Sequence, residues 1–141
     1  EPIAHALKNL DVESAFVVHG LVGLDELSTV GETKISRLKD GEVNTYYLNP
    51  ADIGLKEAKQ EDISGGGPQE NAQITRDILS GEPGPKRDVV LLNAAAALAA
   101  AGKVEDLEAG VKLAAEVIDQ GAALKKLNQL IKVSNQYKTI N

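Results

Sequence analysis

Ala15-Phe16-Val17-Val18 is a continuous apolar run that passes through His19 into Gly20 and Gly23. A short run of this kind, closed by glycine, predicts a strand over Ser14–His19. Its lack of alternation predicts burial on both faces. This limits the fold, because such a strand needs layers above and below it and hydrogen-bonded neighbours in a sheet.

The rest of the chain supplies some of those parts. Pro2–Leu10 predicts a short helix, with Pro2 in its first turn and Ile3, Ala6, Leu7 and Leu10 at helical spacing. Gly20–Gly31 is a loop. Glu32–Lys39 and Val43–Leu48 predict two strands joined at Asp40-Gly41, a pair suited to a type I′ turn. Thr33, Ile35 and Arg37, then Val43, Thr45 and Tyr47, alternate with the opposite face, which predicts a half-exposed hairpin. Asn49-Pro50 ends the second strand, and Pro50–Ile53 can form one helical turn. The charged stretch Lys56–Ser64 is expected to be a mobile loop.

Helices are predicted over Pro68–Leu79, Pro85–Ala101, Asp106–Gln120 and Ala122–Lys132, with a polar, frayed tail over Ser134–Asn141. The second is apolar nearly all round and should be buried. Gly102 and Gly121 stop two of these helices. The order is strand, hairpin, then helices, an α/β fold. The hairpin adds at most two strands, so the sheet is expected to be completed from outside this sequence. The chain opens at Glu1 and has no methionine, and it is read as part of a longer protein.

Composition narrows the function classes. A chain of 141 residues suits one domain. Aromatic residues are only 3%, so the core must rest on Leu, Val, Ile and Ala. A net charge of −6 argues against a nucleic-acid or anionic-membrane surface. Cysteine is absent, which excludes disulfides and thiolate chemistry. No stretch is long enough to span a bilayer, since Asn93 interrupts the apolar run Val89–Ala101, and no targeting segment is evident.

Asp25 and Glu26 are the candidate functional pair. Their loop leaves the end of a strand, where ligand sites gather in open α/β sheets. Two adjacent carboxylates offer hard oxygen ligands for Mg²⁺, which binds through one or two carboxylates together with substrate phosphates. On the residues alone, a solvated acidic pair on a loop is the favoured reading. His19 is read as a local hydrogen-bonding residue at the strand end, and His5 as exposed. Gly65-Gly66-Gly67-Pro68 reads as a flexible helix entry, since it lacks the Gly-Lys-Ser/Thr of a P-loop. Asn71 and Asn93, on apolar helices, read as structural ties between helix and loop. Asp88 suits the start of its helix, and Lys86 and Arg87 are expected to pair with acids elsewhere. Lys125, Lys126 and Lys132 read as a solvated face. No Ser-His-Asp arrangement, His pair or dinucleotide fingerprint occurs, so no catalytic residue is assigned within this segment.

Gly23-Leu24-Asp25-Glu26-Leu27-Ser28 and Arg87-Asp88-Val89-Val90-Leu91-Leu92-Asn93-Ala94-Ala95-Ala96-Ala97-Leu98 resemble segments of the anthranilate phosphoribosyltransferases. Gly65-Gly66-Gly67, Glu70-Asn71-Ala72 and Leu79-Ser80-Gly81 extend the likeness, which runs from Glu1 to about Ile131. The resemblance implies that 1–141 is the C-terminal portion of a large α/β domain of the nucleoside phosphorylase/phosphoribosyltransferase type. It implies a cytoplasmic enzyme of tryptophan biosynthesis, with anthranilate and phosphoribosyl pyrophosphate as substrates. It also implies a small helical domain, an active site in the cleft between the domains, and a homodimer. Asp25 and Glu26 match the family's magnesium-binding pair. The family's Gly-Thr-Gly-Gly-Asp phosphate loop, its Lys-His-Gly-Asn segment and its anthranilate-contacting Arg precede this stretch and are not in it. The isolated chain is therefore expected to be inactive. A non-catalytic paralogue binding a ligand or nucleic acid, and a pyrimidine nucleoside phosphorylase relative, are the alternatives.

Overall fold

Asp40 and Gly41 have φ of 51° and 76°, the two positive angles that a type I′ hairpin turn requires. In the computed structural model, which describes residues 1–136, this turn joins β2 (Thr33–Lys39) to β3 (Glu42–Leu48). β1 (Ser14–Gly20) pairs antiparallel with β2, giving the order β1-β2-β3. The register runs from Lys39 opposite Glu42 to Thr33 opposite Leu48. A two-residue turn thus sets odd-numbered positions against even ones. Thr33, Ile35 and Arg37 share a face with Leu48, Tyr46 and Asn44, while Val43, Thr45 and Tyr47 lie on the other.

The expectation that the first strand is buried on both faces is not met. Ser14–Val18 are half-buried, His19 is exposed and only Gly20 is buried. β1 is an edge of this sheet, hydrogen-bonded to a neighbour on one side. β2 takes the central place, with Thr33, Ile35, Ser36 and Leu38 buried.

One face of the sheet carries Ile35, Leu48, Phe16, Val18 and Tyr46. It packs against Leu92, Ala95 and Ala96 of α4 (Pro85–Ala100), with Leu27 and Leu107 completing the cluster. α1 (Pro2–Asn9) lies across all three strands on the other face, over Ser36 and Leu38. It seats its small Ala4 on the sheet. Ile3, Ala6 and Leu10, expected on its buried face, are exposed, and Leu7 is half-buried. A small residue at the contact lets the helix approach closely, and the larger side chains turn outward.

α4 buries Leu91, Leu92, Ala95, Ala96 and Ala99, as its apolar composition predicts. α5 (Leu107–Asp119) crosses it at Gly110 and Ala95. A Cβ placed on Gly110 would lie 2.7 Å from the Ala95 Cβ and 2.8 Å from its Cα, so the two backbones meet where both residues are small. Leu91, Ala114 and Ile118 form a second cluster with Ile78 and Leu79 of α3 (Pro68–Leu79) and Ala123 of α6 (Ala122–Gln136). The Asp106 carboxylate caps α5 by accepting from the Ala109 N–H at 2.8 Å.

Two boundaries differ from expectation. The stretch Lys56–Ser64 contains a one-turn helix, α2 (Gln60–Ile63), whose Asp62 carboxylate accepts from the Lys59 N–H at 2.9 Å. Charge composition suggested a mobile loop, but the acids serve as a local cap. α6 runs to Gln136, so Ser134–Gln136 of the expected tail are helical, and 137–141 lie outside the described residues. Pro50–Ile53 forms the expected single turn, of 3-10 type.

The α4–α5 crossing makes a direct prediction. Gly110→Ala should destabilise the chain by about 1–3 kcal/mol, because the added methyl meets backbone that cannot rotate away. Urea unfolding of the variant would show a lowered midpoint. An unchanged midpoint would mean that the helices do not meet there.

Candidate metal centre

The loop after β1 folds back at once on the strand that delivers it. The Gly20 N–H donates to the Leu24 carbonyl at 2.9 Å, and the Gly23 N–H returns to the Gly20 carbonyl at 2.8 Å. A Cβ on Gly20 would sit 3.1 Å from the Cβ atoms of both Leu24 and Ser28. Gly20 is therefore the point where strand and returning loop come closest, and a larger residue would force them apart.

Downstream the loop enters the core. Leu27, Ser28 and Thr29 are 1%, 1% and 0% exposed. Their backbone groups lose water and must find partners. The Asn93 side chain on α4 supplies two: its Oδ1 accepts from the Leu27 N–H at 3.0 Å and its Nδ2 donates to the Leu27 carbonyl at 2.8 Å. The Thr33 hydroxyl accepts from the Ser28 N–H at 3.0 Å, and the Ser28 hydroxyl from the Val30 N–H at 2.8 Å. The Ala58 N–H reaches the Thr29 carbonyl at 2.8 Å.

Asp25 and Glu26 stand between these anchors, and both are exposed. Among the described residues neither carboxylate belongs to an ion pair. Their oxygens are accessible, charged and hard, which suits Mg²⁺. No group of three or more His, Cys, Asp or Glu side chains gathers around a common point among the described residues. The donor set fits a metal that keeps waters and shares substrate phosphates, and not an all-protein cage.

The other residues singled out from sequence fall elsewhere. His19 is exposed opposite Lys34, and among the described residues its ring makes none of the local hydrogen bonds expected of it. His5 is exposed, as expected. Gly67 leads into α3, and Asn71 ties that helix to the glycine run by accepting from the Gly66 N–H and donating to its carbonyl, both at 2.9 Å. Asn93 is also a tie, and it alone of these is brought to the acidic loop. Arg87 pairs with Asp119 at 2.8 Å and donates to the Gly81 carbonyl at 2.8 Å. Lys86 donates to the backbone carbonyls of Asp62 and Ser64 instead of pairing with an acid side chain.

A groove of about 250 Å³ lies between α3 and the start of α4, lined by Ile74, Ile78, Pro83, Pro85 and Arg87 among others. Asp25 and Glu26 are not in it, and its basic groups are already engaged. The acidic loop is the better candidate on donor chemistry. Sequence reasoning missed Ser28 and Thr33. The signal for Ser28 was a Leu-Ser-Thr run inside a loop, where a hydroxyl next to an apolar residue can satisfy buried backbone, whereas Thr33, at the start of β2, carried none.

The model of the glycosyl transferase family, a/b domain, matches residues 1–124. The anthranilate phosphoribosyltransferase of Desulfosudis oleivorans is 56% identical over 132 residues, covering 93% of this chain and 39% of the relative. That of Acetivibrio thermocellus is 47% identical over 141 residues, covering 100% of this chain and 41% of the relative. The crystal structure of the Thermus thermophilus enzyme of that name superposes with a TM-score of 0.82 at 43% identity, over 91% of this chain and 37% of that one. The Saccharomyces cerevisiae enzyme in complex with PRPP and Mg gives 0.75 at 32% identity, over 83% and 34%. The chain thus spans about 40% of the length of the curated relatives it matches.

Asp88, in the first turn of α4, gives a pH test. Burial pushes its carboxyl above the usual carboxylate range, against the opposing pull of Arg87 and Lys56. The folded state therefore holds this proton more tightly than the unfolded state does. The associated stability is full below the ordinary carboxylate value and is lost as pH rises through the raised one. Asp88→Asn removes the titration. Its stability relative to wild type should climb across that acid window and then level off, as read by urea unfolding at successive pH values. A flat difference would overturn the assignment.

Proposed function

The chain belongs to the glycosyl transferase family, among the anthranilate phosphoribosyltransferases, and on that premise we propose that the protein carrying it transfers phosphoribosyl from phosphoribosyl pyrophosphate to anthranilate. The products are N-(5′-phosphoribosyl)anthranilate and pyrophosphate, as a step of tryptophan synthesis. The C1–O bond to pyrophosphate breaks, the amine of anthranilate forms the new C1–N bond, and the amine gives up a proton. In this reading residues 1–141 are the C-terminal portion of the large α/β domain of a cytoplasmic, homodimeric enzyme.

The observation that carries the proposal is the exposed Asp25-Glu26 pair, without an ion-pair partner among the described residues and fixed at both ends by the fold. Magnesium held there would neutralise the departing pyrophosphate and make it a better leaving group. Asp25 and Glu26 act electrostatically in this scheme, neither moving a proton nor bonding to the sugar. Their work is to fix charge opposite the place where it develops. Gly20 and Leu27 hold the two carboxylates at the loop tip. The relatives' additional length would supply the phosphate-gripping glycine loop and the anthranilate contacts, so the isolated chain is expected to be inactive.

Calorimetry checks the metal part. Mg²⁺-dependent pyrophosphate binding to this chain should be saturable and should vanish in Asp25→Ala with Glu26→Ala. Binding that survives the double substitution would sink the assignment. In the full-length protein the same change should lower kcat/KM by about 10²-fold or more, the scale of several kcal/mol of charge stabilisation. The 141-residue chain, assayed with both substrates and Mg²⁺, should give no turnover, and clear product formation would refute that expectation.

A further inference from the structure

Neither acidic side chain has a partner to hold it in place among the described residues, so the position of the pair depends on its backbone. The upstream anchor is local main chain, Gly20 to Leu24. The downstream anchor is a side chain 66 residues away in sequence, Asn93. Its amide contacts both polar groups of one residue, Leu27, and a second Nδ2 hydrogen donates to the Val89 carbonyl at 2.9 Å. The Val89 bond fixes the rotation of the amide on α4. The two Leu27 bonds then set an orientation as well as a distance.

The Leu27 N–H belongs to the peptide plane that Glu26 shares. Whatever fixes that plane fixes the direction in which Glu26 leaves the backbone. The buried Leu27 side chain sets depth in the core but leaves rotation about the strand direction free. The amide resists that rotation on the Glu26–Leu27 peptide, while the Thr33 hydroxyl holds the Ser28 N–H beyond it.

We infer that Asn93 is a positioning residue for metal-assisted transfer, holding Asp25 and Glu26 in register through its two hydrogen bonds to Leu27. The inference rests on the magnesium reading given above. Asn93 touches neither metal nor substrate, so its loss should weaken the placement of the metal site and leave the chemistry otherwise in place.

The test uses the full-length protein, with Mg²⁺ binding in the presence of pyrophosphate read by calorimetry beside the Mg²⁺ dependence of its activity. Asn93→Leu keeps the number and branching of side-chain heavy atoms and the helix but removes every bond to Leu27. Asn93→Ser can still bond back to the Val89 carbonyl, one turn away, but cannot span to Leu27. Both should raise the Mg²⁺ concentration for half-maximal activity and the KM for phosphoribosyl pyrophosphate on the order of tenfold, as expected for two lost hydrogen bonds. The KM for anthranilate should stay put, and excess Mg²⁺ should restore most of kcat. A merely structural role would lower kcat in proportion to the folded fraction without moving the Mg²⁺ midpoint.

If Asn93→Leu does not fold, the midpoint of Asn93→Ser decides. An unchanged midpoint in folded variant, alongside a wild type that depends on Asp25 and Glu26, overturns this inference alone. A wild type indifferent to loss of Asp25 and Glu26 overturns the metal reading and this inference with it.

Discussion

Taking a loop backbone through an apolar core strips water from its N–H and C=O groups, and the structure around Leu27–Thr29 is arranged to meet that cost. Each unpaired group there would cost about 1–3 kcal/mol. Asn93 from α4, Thr33 from β2, Ser28 from the loop itself and the Ala58 N–H each satisfy one or more of them. These bonds join the loop to the helical layer, to the central strand and to the segment before α2. The core cluster of Leu27, Ile35 and Leu92 then closes around the same loop.

The functional consequence is mechanical. Two exposed carboxylates on a free loop would sample many directions, and each would lose conformational entropy on meeting a metal. Asp25 and Glu26 instead project from a short tip whose bases are fixed, one by main-chain bonds at Gly20 and the other by burial and an amide at Leu27. The backbone part of that ordering cost is met on folding. On the proposed reading, a loop tip placed in this way suits a reaction in which the protein makes no covalent bond and stabilises a departing anion.

The sheet is less self-contained. β1 is paired on one side and half-buried, although its sequence is that of an interior strand. Ile3 and Leu10 of α1 are 63% and 74% exposed, and Leu130 of α6 is 63% exposed. Relatives of this chain are more than twice as long as the stretch it matches. A strand whose composition exceeds its burial is a sign that sequence carries information about packing that these residues do not complete by themselves.

Local rules were enough for much of this. The type I′ turn follows from Asp40-Gly41, and the helix starts from Pro68 and Pro85, because each depends on backbone sterics or on neighbours in sequence. Asn93 could be recognised as a tie because an amide in an alanine-rich helix needs partners. Its partner could not, since Leu27 lies 66 residues away and only the approach of α4 to the loop brings the two together. The close crossing of Gly110 on Ala95, the outward turn of Ile3 and Leu10, and the edge position of β1 were likewise settled by tertiary contact. The sequence by itself determined the three strands, the hairpin turn and the longer helices, and which side chains offered hard oxygens. The tertiary structure alone decided which of them meet, because burial and backbone satisfaction are properties of surfaces brought together and not of residues in a row.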